Sequence, residues 1–82
     1  MSATSLQLNI ISAEKTLFSG AVASVVIPGV GGSFGVYPDH ASLISPLMAG
    51  TITYMESGTE KSLEVNGGIA EVNDGVVTIC VA

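Results

Sequence analysis

One glycine-rich stretch, Gly31 to Gly35, has the spacing of a catalytic motif. Ser33 lies at its centre with a glycine two positions before it and two after it, the pattern of the strained turn that presents a nucleophilic serine. Acyl transfer would follow if Asp39 and His40 served as acid and base. These two residues are adjacent, and adjacent side chains of an extended chain point to opposite faces. We therefore expect a glycine-rich loop between strands here, not a catalytic serine.

The same glycines could bring backbone N–H groups close to a phosphate. A phosphate site is completed by a lysine and by the N-terminus of a helix, and the sequence suggests neither beside residues 31–35. A metal site is also poorly supported, because His40 is the single histidine and no further ligands cluster near Asp39. We therefore expect no cofactor and no metal.

Lys15 and Cys80 are two further residues with chemical potential. Small acidic β-sandwiches include lipoyl and biotinyl carrier domains, but these present the modified lysine near the middle of the chain, whereas Lys15 lies near its start. We interpret Lys15 as an exposed lysine and keep the carrier domain as an alternative. Cys80 has no second cysteine to pair with, so we interpret it as a small buried apolar residue.

Short strands are the elements that would position these residues. After Ser19, glycine and proline divide the chain into segments of mostly six to eight residues, which is a typical strand length. These segments are 21–27, 39–45, 51–57, 59–66, 69–74 and 76–82. Apolar and polar residues alternate in several strands, as where Leu6, Leu8 and Ile10 flank Gln7 and Asn9. This pattern predicts strands with one buried face.

Turn residues separate the predicted strands. Glu56–Thr59 is interpreted as a hairpin loop, and Asp74-Gly75 favours a tight two-residue turn because both of its positions accept a positive φ. Residues 66–68 are interpreted as a turn or a bulge. Residues 39–48 have some helical apolar spacing, but two prolines bracket only seven residues, which favours a strand or irregular structure. The predicted fold is all-β, a two-layer sandwich or flattened barrel of eight to ten strands in one domain, 1–82.

Composition restricts the classes of function. The chain has 82 residues, 48% hydrophobic and 11% charged, with two basic residues and a formal net charge of −5. Two cations cannot neutralise a run of phosphates, so we expect no nucleic-acid binding. No apolar run reaches 18 residues, and Met1–Ser5 lacks the basic start of a secretory signal, so we expect neither membrane insertion nor export.

An ordered set of short motifs covers nearly the whole chain. The motifs are Ser12–Glu14, Leu17–Gly20, Gly32–Ala41, Leu43–Ile44, Ala49–Gly50, Gly67–Val72 and Val77–Ile79. In this order they resemble the N-terminal β-sandwich domain of the epsilon subunit of bacterial and chloroplast F-type ATP synthases, whose mitochondrial counterpart is called delta. No single motif is specific to that family, whereas the ordered set is.

The resemblance implies a ten-stranded β-sandwich with a mechanical, non-catalytic role. Epsilon subunits bind the foot of the gamma subunit and rest on the polar loops of the membrane c-ring, so that all three rotate together and couple proton flow to ATP synthesis. The implied partners are therefore gamma and the c-ring. The implied location is peripheral, on the cytoplasmic face of a bacterial inner membrane or the stromal face of a thylakoid.

The family pattern also implies which residues meet each partner. The residues expected to face the c-ring are Val30, Gly31, Gly32, Ser33 and Phe34. Ser12 and His40 are expected to lie near gamma. Ser33 occupies a position that often carries an acid in the family, and Asp39 occupies one where glycine is common. These differences remove a charge from the ring-facing loop and add one beside His40.

Many epsilon subunits continue into a C-terminal helical hairpin that inhibits ATP hydrolysis and, in some members, binds ATP. This sequence ends at the last predicted strand, 76–82. The resemblance therefore implies a chain that assembles into the rotor without inhibition or ATP sensing by a hairpin.

Overall fold

The computed structural model describes residues 5–39 and 41–82, and all of its regular elements are strands. These are β1 Leu6–Ile11, β2 Thr16–Val22, β3 Ser24–Gly29, β4 Gly32–Val36, β5 Leu43–Leu47, β6 Gly50–Glu56, β7 Thr59–Val65, β8 Gly68–Asn73 and β9 Val76–Val81. Within the described ranges no helix is long and apolar enough to cross a membrane.

The strands form one hydrogen-bonded sheet that curls into two layers. The first layer has the order β2-β1-β9-β8-β5, and the second has the order β4-β3-β6-β7. The pairing of Gly29 in β3 with Leu47 in β5 joins the layers. Neighbouring strands are antiparallel except for β1 and β9, which are parallel. The prediction of an all-β, two-layer sandwich of eight to ten strands is confirmed.

The hydrophobic core lies between the two layers. Alternate residues of most strands point inward, as the period of two in the sequence predicts. The buried side chains are Leu6, Leu8, Ile10, Val22, Val25, Ile27, Val36, Leu47, Ile52, Tyr54, Val65, Ala70, Val72, Val77 and Ile79. Across the described residues, no polar or charged residue is buried. Burial of these apolar side chains is what stabilises the described interior.

Two predictions about single segments are wrong. Cys80 is exposed, because inward and outward positions alternate along β9 and its neighbour Ile79 takes the inward position. The segment 21–27 is not one strand, because the chain bends at Ala23 and its two halves belong to different layers. The N–H of Ala23 donates a hydrogen bond to the carbonyl oxygen of Met55 at 2.8 Å, which holds this bend against β6.

The predicted hairpin turns are confirmed. Ser57 and Gly58 have φ values of 52° and 78°, and Asp74 and Gly75 have values of 51° and 80°. Both central positions of each two-residue loop are therefore left-handed, which matches the twist of the flanking strands. The ambiguous segment 39–48 contains strand β5, so the preference for a strand over a helix is confirmed there.

Gly68 is essential to the position of β8 in the first layer. Its φ is 145°, and a Cβ at this position would overlap the carbonyl oxygen of Cys80. The close approach allows Gly68 to pair with Leu47 of β5 on one side and with Val81 of β9 on the other. The sheet is therefore continuous at the point where the chain leaves the second layer and enters the first.

Candidate functional site

The first candidate surface is the glycine tip, which we define as residues 28–34 and 46–51. In its hairpin half, Val30 and Gly31 form the turn between β3 and β4, and Gly29 pairs with Gly32 across it. Val30 is 57% exposed and Ser33 is also exposed, whereas Phe34 is partly buried and packs against the core. The structure thus groups the five predicted ring-facing residues on one hairpin, with Phe34 turned toward its interior.

A second loop lies beside this hairpin. The N–H of Val30 donates to the carbonyl oxygen of Pro46 at 3.2 Å, and the N–H of Met48 donates to the carbonyl oxygen of Pro28 at 2.9 Å. An open groove runs between the hairpin and the residues that connect β5 to β6. The sequence motif Ala49–Gly50 marked this loop, but sequence reasoning assigned no function to it.

The second candidate surface is the apolar face, which we define as the outward side of β5, β8, β9 and β1. Strand pairing places four outward apolar residues in one row across it: Pro46, Ile69, Cys80 and Ile11. With strands spaced about 4.8 Å apart, this row spans roughly 14 Å. Ile44 is the diagonal neighbour of Ile69, and the two side chains are 71% and 54% exposed. Adjacent, exposed apolar residues of this kind are typical of an interaction site.

Ser12 lies at the end of this row, directly after Ile11. Its hydroxyl oxygen accepts hydrogen bonds from the N–H groups of Glu14 and Lys15 at 3.3 and 3.2 Å, and its O–H donates to the carbonyl oxygen of Lys15 at 3.2 Å. Ser12 therefore closes the turn between β1 and β2 from within. His40, the other residue expected near gamma, lies outside the described residues.

A polar cluster occupies the β1 edge of the apolar face and continues onto β2. The amide of Gln7 donates to Asn9 Oδ1 at 3.0 Å and to Ser19 Oγ at 3.3 Å, and the Ser19 hydroxyl donates to Asn9 Oδ1 at 2.9 Å. These three side chains are hydrogen-bonded to one another on the outward side of the sheet. The apolar face therefore has a defined polar margin, as protein-binding surfaces commonly do.

Charged side chains are absent from the glycine tip, residues 28–34 and 46–51, whereas the apolar face carries Glu71, the exposed cross-strand partner of Ile44. At the far end of β6, the Nζ of Lys61 lies 2.8 Å from Oε1 of Glu56. The hydrogen bond from Lys61 to Glu56, together with the charge of that carboxylate, raises the pKa of Lys61.

The geometry does not favour the enzymatic interpretations. Ser33 is exposed in strand β4, and no helix follows it within the described chain, so the strained strand-to-helix turn is missing. Lys15 is exposed in the turn that Ser12 closes, a placement that fits an ordinary exposed lysine and a carrier lysine equally. Among the described residues, no group of three or more His, Cys, Asp or Glu side chains could hold a metal. The described surfaces are suited to binding another protein.

Similar proteins come from bacterial ATP synthases. An ATP synthase epsilon chain of Leptospira interrogans is 39% identical over 79 residues, which are 96% of this chain and 62% of that protein. The epsilon chain of Maricaulis maris is 42% identical over 77 residues, covering 94% of this chain and 58% of the relative. This chain thus spans about three fifths of the length of these curated relatives.

Solved structures share the fold. A chain in the mitochondrial ATP synthase of Euglena gracilis, solved as OSCP, F1 and c-ring, superposes with a TM-score of 0.90 at 27% identity, over 96% of this chain and 51% of that one. A chain in the central stalk and c-ring of the Tetrahymena thermophila enzyme superposes with a TM-score of 0.77 at 14% identity, over 93% of this chain and 62% of that one. The second likeness shows the fold alone.

The family match covers the described residues from end to end. Residues 5–82 match the family described as the ATP synthase Delta/Epsilon chain, beta-sandwich domain. The nine-stranded sandwich agrees with that description. The chain therefore belongs to the family of β-sandwich domains of ATP synthase delta and epsilon chains.

Proposed function

We propose that this chain is a non-catalytic subunit of the central stalk of an F-type ATP synthase, where it links the gamma subunit to the c-ring. It turns with both and so couples proton translocation to ATP synthesis. Its place is peripheral, at the cytoplasmic face of a bacterial inner membrane or the stromal face of a thylakoid. One observation carries the proposal: the glycine tip and the apolar face meet at Pro46, so that one domain offers two adjoining surfaces.

The hairpin half of the glycine tip, residues 28–34, is the surface that we assign to the c-ring. Gly31 and Gly32 have no side chains, so the backbone of a partner loop can approach them closely. Val30 and Ser33 are exposed beside them, and Phe34 anchors the hairpin from inside. Desolvating a charge in a contact is costly, and the tip carries none. This composition suits a partner loop without strong charge.

The apolar face is the surface that we assign to gamma. Ile44 and Ile69 are among the most exposed large apolar side chains of the described residues, and covering them would remove apolar area from water. Ser12 adjoins this face at the end of β1, which supports its assignment to gamma. For His40, the assignment to gamma rests on the family resemblance alone.

Native mass spectrometry with a gamma subunit from the same source tests the assignment. We expect a one-to-one complex that contains the unmodified mass of this chain. The substitution Ile69→Lys places a charge on the apolar face and should abolish the complex. Val26→Lys is the matched control, because Val26 is a β-branched residue of a strand in the second layer and is 38% exposed.

Three outcomes would contradict this proposal. One is the absence of a complex with matched gamma, and another is equal loss of the complex in both lysine variants. The third is an added cofactor mass on Lys15 or Lys61 after expression with lipoyl or biotinyl ligases, which would favour a carrier domain.

A further inference from the structure

We infer that the loop between β5 and β6 forms the second half of the ring-binding surface, where Met48 contacts the ring together with Val30. This inference rests on the proposed function, which assigns only the β3–β4 hairpin to the ring. It adds a contact residue from a different part of the chain and commits to one occupant, an uncharged loop of the ring.

Reciprocal hydrogen bonds join the loop to the hairpin. Val30 donates to the carbonyl oxygen of Pro46, and Met48 donates to that of Pro28, at 3.2 and 2.9 Å. Gly50 lies so close to Pro28 that a Cβ added to it would be 2.9 Å from the proline Cβ. Two strand ends from different layers are thereby fixed to each other, so a partner that reaches the hairpin also meets this loop.

The exposed side chains of the two loops are alike. Val30 is 57% exposed and Met48 is 54% exposed, on either side of the open groove between the loops. Methionine is flexible and polarisable, so it can adapt to the shape of a partner surface. A residue needed only to support the hairpin would be buried against it, and Met48 is not.

Charge indicates which partner fits. The chain carries seven acidic residues and a formal net charge of −5, but none of its charges lies in residues 28–34 or 46–51. A strongly charged partner surface would find no complementary group there. An uncharged loop that offers backbone groups and small side chains can cover Val30 and Met48 without leaving a charge unpaired.

Protection of single cysteines from maleimide tests the inference. Val30→Cys, Met48→Cys and Thr59→Cys are each made in a Cys80→Ser background. Thr59, the first residue of β7 beyond the far end of β6, is the control. Labelling rates are measured for the free chain, for its complex with gamma, and for the assembled enzyme that contains the ring. We expect positions 30 and 48 to label at least tenfold more slowly only in the assembled enzyme, and position 59 to be unaffected.

The other results separate this inference from the proposed function. Protection at position 30 with free labelling at position 48 would overturn the inference and leave the proposed function standing. Free labelling at both positions, in an enzyme shown by mass to contain the chain, would overturn both. Protection of position 48 by gamma alone would assign Met48 to gamma, and protection that rises with the concentration of the free chain would indicate a second copy. Either of the last two results would also overturn the inference.

Discussion

The two ends of strand β6 differ in how the chain reverses and in what holds it. At one end is the glycine tip, where two loops without charged side chains are joined by backbone hydrogen bonds between the layers. At the other end is the charged hairpin, which we define as residues 53–62. It turns through Ser57 and Gly58, and the ion pair of Lys61 with Glu56 lies across it.

This difference separates a binding surface from a solvent-exposed one. An exposed hairpin at the edge of a sheet remains soluble when it carries charges, which also discourage pairing with other chains. A surface that is covered by a partner cannot carry unpaired charges without a desolvation cost. The comparison therefore predicts that substitutions at the glycine tip change binding, whereas the same substitutions in the charged hairpin change little.

The largest expected effect is a loss of folding stability when Gly68, a glycine near the glycine tip, is replaced. Gly68→Ala should lower the free energy of unfolding by about 3 kcal/mol or more, because the new Cβ overlaps the carbonyl oxygen of Cys80 and the φ is unfavourable. Gly58→Ala in the charged hairpin is the control, since its φ is also positive but no atom lies within 4 Å. Its cost should be about 1 kcal/mol. Urea denaturation measures both, and equal losses would contradict the crowding at Gly68.

A charge placed at the glycine tip should weaken ring binding next most strongly. Met48→Asp and Val30→Asp should each lower the affinity for a gamma and c-ring assembly by at least tenfold, which is about 1.4 kcal/mol. Both side chains are more than half exposed, so stability should change by no more than about 0.5 kcal/mol. Thr59→Asp in the charged hairpin should bind normally. Normal binding by Met48→Asp, measured by titration, would remove that residue from the surface.

The turn before β2 should show a smaller effect. Ser12→Ala removes the hydrogen bonds of its hydroxyl to Glu14 and Lys15 and should cost about 1 kcal/mol of stability. Ser62→Ala in the charged hairpin is the control, because Ser62 is an exposed serine within strand β7 and closes no turn. Thermal unfolding distinguishes the two variants. If both unfold alike, the Ser12 hydroxyl does not hold its turn.

The smallest effect is expected for the ion pair of the charged hairpin. Lys61 has a raised pKa because of Glu56, so the pair stabilises the fold below the ordinary pKa of lysine and is lost as pH rises through the raised value. Glu56→Gln should therefore lower the melting temperature only slightly at neutral pH. That difference should disappear at a pH above the raised pKa of Lys61, and high salt should also reduce it. A large loss that persists in alkali would show another role for Glu56.

Much of the fold follows from local patterns that need no tertiary information. Alternation in Leu6, Leu8 and Ile10 determines the inward face of β1, since side chains of a strand have a period of two. Asp74-Gly75 determines a tight turn because both residues tolerate a left-handed backbone. The same alternation predicts an outward Cys80, and the interpretation from its residue type alone was the error.

Features that depend on residues far apart in the sequence could not be predicted from local patterns. The bend at Ala23 is held by a hydrogen bond to the carbonyl oxygen of Met55. The position of Met48 is likewise held by a hydrogen bond to the carbonyl oxygen of Pro28. Neither partner is a near neighbour in sequence, so no local pattern indicates the contact.

By itself, the sequence determined an all-β sandwich, most of its turns and, through its ordered motifs, the resemblance to the epsilon family. Only the tertiary structure determined the two surfaces. The apolar face requires β5, β8, β9 and β1 to be neighbours, which includes a parallel pair between the first and last strands. The physical reason is that strand order arises from burying one face of every strand in a shared core, and this condition applies to the whole chain at once.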